Sequence, residues 1–167
     1  MEVVNNNGNI RPSNRRETFL SLFFILCIIF FTFSSSLTNS FTSWDDGSHL
    51  LENFNVRSLE LSNIKEIFSR KVNGTYIPLT IFSFAVEYHF AGYNIFVYHL
   101  DNLLLHLTVT VLVFLFALRL GLTTAASSFA ALLFGIHPMH VESVAWITER
   151  KDVLYAFFYM LALYQYG

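Results

Sequence analysis

FLSLFFILCIIFFTFSSSL, residues 19–37, decides the class of this chain. It is about 19 residues without a charge, close to the ~20 that a helix needs to cross a bilayer. It also exceeds the ~7–15 residue apolar core of a cleaved secretory signal, so an uncleaved membrane span is the expectation, even though three serines follow it. The charge deficit extends well beyond this run. Only 13% of the 167 residues are charged and 54% are apolar, with mean hydropathy +0.49, against roughly 25% charged in a soluble domain. Thr18 to Trp44, Asn102 to Leu118, Gly121 to Val141 and Val153 to Gly167 hold no Asp, Glu, Lys or Arg. The charges crowd into the remainder, which describes a membrane protein with polar loops. A net charge of −2 points away from nucleic acid. The single cysteine, Cys27, allows no internal disulfide and no cysteine metal cluster.

Upstream, residues 1–17 are polar and Asn-rich, and Arg11, Arg15 and Arg16 precede the span. They are expected to form a disordered tail kept on the cytoplasmic side by its basic residues. Downstream, alternation of sides sets the rest: spans at about 19–37, 99–120, 125–136 and 153–167, with lumenal loops at about 38–98 and 137–152. The fold class expected is therefore all-α, a polytopic helical bundle of about four transmembrane helices. Lumenal amphipathic helices are expected between the first two spans. Leu61, Ile64 and Phe68 predict a short amphipathic helix on the membrane surface or against the rest of the domain. Pro78 opens a second helix through about Phe90, ended by Gly92. Asn73-Gly74-Thr75, between them, is an N-glycosylation acceptor triplet. The third span, AASSFAALLFG, is rich in small residues that permit close backbone approach. The fourth apolar run is short, and the sequence stops inside it, so the chain is expected to be the opening part of a longer protein.

Two polar clusters face the lumen in this topology. Trp44-Asp45-Asp46 follows span one, and HPMHVESVAWITERKD, residues 137–152, precedes span four. Adjacent carboxylates at Asp45 and Asp46 could act as a general base, hold a divalent cation, or cap a following helix. Arg150 and Lys151 are cations where the positive-inside rule places few. A lipid phosphate could compensate them, or neighbouring Glu149 and Asp152 could. His137, His140 and Glu142 match no established zinc-helix spacing, so no metal site is assigned to them. His99, Asn102 and His106 share one helical face, lining a cavity or bonding neighbouring helices.

Trp44-Asp45-Asp46, Pro78-Leu79 with Ser83-Phe84-Ala85, His99-Leu100, Asn102-Leu-Leu-Leu-His106 and the 137–152 motif occur in a recognisable order. From about residue 19 onward the chain resembles the N-terminal part of the transmembrane and tetratricopeptide-repeat-containing O-mannosyltransferases and their bacterial relatives of the glycosyltransferase C fold. The resemblance implies part of that fold and transfer of mannose from dolichyl phosphate mannose to Ser or Thr hydroxyls of secretory-pathway proteins, cadherin-type domains among them. It also implies residence in the endoplasmic reticulum membrane. Asp45 or Asp46 would then be the base, Arg150 and Lys151 would meet the donor lipid phosphate, and His137, His140, Glu142, His99, Asn102 and His106 would line the site. In one departure, this chain has Ile77 where the family commonly carries Arg between Tyr and Pro. No 34-residue repeat is visible. A non-enzymatic membrane adaptor built on the same bundle is the competing expectation. A channel or transporter fits less well, because the polar residues gather at one membrane face.

Overall fold

The computed structural model describes residues 2–4, 10–12 and 15–166. In the tail, β1 (Glu2–Val4) pairs antiparallel with β2 (Ile10–Pro12), Val3 opposite Arg11. The rest of the segment expected to be disordered lies outside the described residues, except that Arg15, Arg16 and Glu17 form the first turn of α1 (Arg15–Phe33).

α1 buries a single stripe, Ile25, Ile29 and Phe33 at four-residue spacing, and leaves Phe19, Phe23, Phe24 and Phe31 outward. A helix apolar all round but buried on one side is stable where the outer solvent is hydrocarbon. The serine tract ends it. Ser34, Ser36 and Thr38 donate their hydroxyls to the carbonyls of Phe31, Phe33 and Ser35, three residues back, within a 3-10 turn over Ser34–Thr38. The apolar stretch Arg15–Thr38 and α4 (Ile95–Arg119) are both long and apolar enough to cross a membrane. α4 begins four residues before the expected His99.

α4 is the central post, packed against α1, α5 (Thr124–Gly135), the short α6 (Val141–Ala145) and α7 (Arg150–Tyr166). α5 has 12 residues, about 18 Å of helix, shorter than a hydrocarbon core of about 30 Å, and α7 runs to Tyr166, the last described residue. Phe129, Leu133, Tyr155, Phe158 and Tyr159 nonetheless stay exposed on them and continue the apolar exterior of α1. At one end of the bundle, Arg119 donates to the Tyr164 carbonyl at 2.6 Å and lies over its ring, tying α4 to α7.

The small residues of α5 matter at Gly135. A Cβ built there would lie 2.1 Å from Ile29 Cδ1, 2.8 Å from its Cγ1 and 3.3 Å from Thr110 Oγ1, so α1, α4 and α5 meet over this glycine. Gly135→Val is expected to lower stability by about 1–3 kcal/mol through overpacking, and Gly135→Ala by less. Thermal unfolding in detergent measures it, and unchanged melting of the valine variant would refute the close approach.

The opposite end carries residues 39–94. α3 (Pro78–Ala91) starts on Pro78, whose missing N–H costs nothing in a first turn, and stops at Gly92, whose φ of +60° suits glycine. α2 (Leu61–Ile67) forms where Leu61, Ile64 and Phe68 predict it, but Leu61 and Phe68 point outward and Ile67 is its buried residue. Leu50, Val56, Ile67, Ile81, Phe84, Ala85, Tyr98 and Ile147 make one core beneath these elements.

Candidate active site

Both polar clusters lie at this end, and Asp46 joins them. The residue is 1% exposed. Its Oδ2 accepts the N–H and hydroxyl of Thr42 at 2.7 and 3.0 Å. Its Oδ1 accepts Trp146 Nε1–H at 3.0 Å, Thr148 N–H at 3.3 Å and the Thr148 hydroxyl at 2.9 Å. Five donors on one carboxylate occupy its lone pairs. Asp46 thereby ties the loop after α1 to the loop before α7, a hundred residues on.

Asp45 is placed differently. It is half-buried, and among the described residues its carboxylate accepts no hydrogen bond. Its carbonyl instead accepts from Ser48 Oγ at 3.3 Å and His49 Nδ1 at 3.1 Å within the π-helical turn Gly47–Leu51. The exposed Trp44 ring meets Trp146 edge-on at 5.4 Å. Asp45 is thus held by its backbone while its carboxylate stays open. Among the described residues no three of His, Cys, Asp and Glu gather to hold a metal ion. With both Asp46 oxygens occupied, the Asp pair does not offer two open carboxylates to a cation.

Arg150 and Lys151, expected in the loop, instead begin α7, and the helix turns Arg150 inward. Arg150 is 1% exposed. Its Nε donates to Asn102 Oδ1 at 2.7 Å, one terminal nitrogen to Ser83 Oγ at 3.0 Å and Glu87 Oε2 at 2.5 Å, and the other to the Tyr98 carbonyl at 2.8 Å. Its guanidinium carbon lies 4.6 Å from the centre of the Phe84 ring. Such a planar fork satisfies partners on two helices at once. The guanidinium is therefore enclosed by protein, and Lys151 is the cation left at the surface. Lys151 pairs with Glu149 at 2.6 Å and borders a groove of about 350 Å³ whose other walls include Ile77, Pro78, Leu79, Leu154 and Phe158.

Burial raises the Glu87 carboxyl to about 8; Arg150 opposes this, and nearby Asp101 adds to it. A carboxyl whose folded pKa stands above its free value of 4.5 binds a proton that the unfolded chain releases, so stability falls as pH rises from about 4.5 through about 8. Thermal unfolding of the wild type should show that decline across the window, and Glu87→Gln should flatten it. An equal slope in both would refute the assignment.

Asn102 donates to the carbonyls of Trp146 and Ile147 at 3.0 and 3.3 Å, so its helical face serves to bond neighbours. One turn earlier His99 is buried close to the Asn39 backbone and Asp46. His106 donates Nε2–H to the Gly135 carbonyl at 2.8 Å and also lines a 220 Å³ cavity with His140, Ser143 and Asp152. The stripe therefore does both things left open by its spacing. His137 accepts the Met139 N–H and stays exposed, as does Glu142. Burial, and then His137, push the His140 imidazole down. Asn73 is exposed at the tip of a tight turn closed by Val72 and Thr75, with φ +49°.

Thr42 and Glu87 escaped the sequence reading, and Ser83, Trp146 and Thr148 entered it only inside motifs, without a role of their own. Glu87 alone left a signal, as the one acid in the apolar helix Pro78–Phe90.

These features define a helical membrane-protein segment whose loops after α1 and before α7 are fused into a polar junction at one end of the bundle. Comparison with known proteins gives the family. The chain is 30% identical over 169 residues to protein O-mannosyl-transferase TMTC3 of Mus musculus, covering 95% of this chain and 18% of that protein. It is 37% identical over 106 residues to protein O-mannosyl-transferase TMTC4 of Homo sapiens, covering 55% and 14%. Against protein O-mannosyl-transferase Tmtc1 of Drosophila melanogaster it is 37% identical over 94 residues, covering 56% and 11%. No family model and no solved structure matches it. The chain belongs to the TMTC family that these relatives represent, and it spans less than a fifth of the length of each.

Proposed function

We propose that this chain forms the N-terminal part of a membrane-embedded mannosyltransferase of glycosyltransferase C fold. Mannose passes from dolichyl phosphate mannose to Ser or Thr hydroxyls of secretory-pathway proteins, such as cadherin-type domains. The bundle spans the endoplasmic reticulum membrane about four times with a cytoplasmic N-terminus, so that the Asp46 junction faces the lumen. The observation that carries this reading is the contrast within Trp44-Asp45-Asp46. One carboxylate is saturated and fixes the loop, while its neighbour is open and fixed in place.

In this reading Asp45 is the base that takes the acceptor hydroxyl proton as the oxygen attacks the anomeric carbon, and the sugar–phosphate bond breaks. Lys151 meets the departing lipid phosphate, where a cation in a dry site is most effective, and the adjoining apolar groove holds the first units of the lipid. Arg150 positions Lys151 by anchoring the start of α7. His99, Asn102, His106, His137, His140 and Glu142 shape the surroundings.

The test uses the full-length protein with lipid-linked mannose and an acceptor domain. Wild type should transfer mannose. Lys151→Met should raise the KM for donor by roughly tenfold, the loss of one charge-assisted contact, and leave the KM for acceptor unchanged. Absence of transfer by the wild type would contradict the reading. Ile77 favours one alternative. It borders the groove with an apolar side chain where the family commonly has Arg, as a non-enzymatic adaptor that no longer binds the donor would permit. Specific transfer by the wild type excludes that alternative.

A further inference from the structure

A second groove, of about 380 Å³, opens beside the Asp45 loop between two strips of chain, Ser48 to Asn55 and Glu66 to Asn73. Ser48 is shared between this groove and the Asp45 turn. Its Oγ donates to the Asp45 carbonyl at 3.3 Å and accepts from Asn73 Nδ2 at 2.6 Å. The wall of the groove is therefore bonded to the backbone that carries the open carboxylate. Glu66 and Arg70 on its wall pair with each other at 2.8 Å and Asn53 bonds the His49 carbonyl and the Asn55 N–H, which leaves three polar side chains uncommitted. Among the described residues Glu52 and Lys71 make no ion pair, and the Asn55 side chain makes no hydrogen bond. Phe54 stands 76% exposed at the rim with the Arg57 guanidinium 4.9 Å from its ring centre.

We infer that this groove docks an extended segment of the acceptor polypeptide and leads its Ser or Thr to Asp45, a step that rests on the mannosyltransferase reading. The chemistry suits a polypeptide. An amide such as Asn55 can pair with a peptide unit in both directions, and one acid and one base on facing strips accept a segment without strong net charge. An exposed aromatic gives a side chain area to cover at little entropy cost. A free sugar would be better served by an enclosed pocket, and this groove is open to solvent.

Two measurements on the full-length protein decide it. First, Phe54→Ala with Lys71→Glu should raise the KM for an acceptor domain by roughly five- to tenfold, as loss of an interface anchor does, while kcat, donor KM and melting stay within error of wild type. Second, a photo-reactive benzoylphenylalanine at position 54, in the Asp45→Asn protein, should cross-link to the acceptor and be competed by excess unlabelled acceptor. Wild-type transfer with an unchanged acceptor KM in the double variant would overturn the docking site and leave the enzyme reading standing. Acceptor cross-linking without any transfer would do the reverse. Cross-linking only to a second copy of the chain, or to a glycan on Asn73, would also overturn it.

Discussion

Arg150→Ala is expected to lower stability by about 3–5 kcal/mol, the range for breaking a buried pair by removing one partner, with the loss largest above about pH 8, where Glu87 is ionised. The substitution strands Glu87, Asn102 and Ser83 and frees the Tyr98 carbonyl, all inside the bundle. It also releases α7 from α3 and α4 at the point where α7 begins. Arg150→Lys should recover little, because an ammonium cannot serve these directions with a planar fork. Arg150→Met combined with Glu87→Gln should be milder than Arg150→Ala alone, since it removes both charges while keeping volume. Melting of purified full-length protein orders the variants. A tolerated Arg150→Ala would show that the buried lattice does not hold the bundle together.

The two aspartates should separate by phenotype. Asp45→Asn keeps the shape and the backbone bonds to Ser48 and His49, so the fold and membrane insertion should survive. If Asp45 is the base, transfer should fall by about 10²–10⁴-fold, the range for loss of general base catalysis. Asp46→Asn acts on the structure. The amide NH2 that replaces one oxygen would face N–H and O–H donors, from Thr42 on one side or Trp146 and Thr148 on the other. Melting should drop by several degrees, with activity lost as a consequence of loosening the two loops.

Much of this architecture is legible in the sequence where a local cause sets it. Pro78 and Gly92 bracket α3, Arg15–Thr38 and α4 show through the uncharged runs that begin at Thr18 and at Asn102, and the small residues of α5 foretell the contact at Gly135. What local reading misses is decided by partners far along the chain. Arg150-Lys151-Asp152 reads as loop because three charges precede an apolar run, yet it is the first turn of α7. The acid that satisfies Arg150 is Glu87, 63 residues earlier, whereas Lys151 takes the neighbouring Glu149. Periodicity finds α2 but not which face it buries, because Ile67 turns toward a core built from α3, α4 and the 137–152 segment. Within the candidate site, the Asp pair and the long polar motif are visible as types. Their division of labour is not, since it depends on Thr42, Trp146 and Thr148 all reaching one carboxylate.

The central claim is that the open carboxylate at the fused junction performs the chemistry. Its most direct test is the initial rate of mannose transfer from lipid-linked donor to an acceptor domain. Full-length wild type and Asp45→Asn would be compared at matched amounts of folded, membrane-inserted protein. Robust wild-type transfer with at least a hundredfold loss in Asp45→Asn at unchanged melting is the result expected. Equal rates in the two proteins would contradict the account.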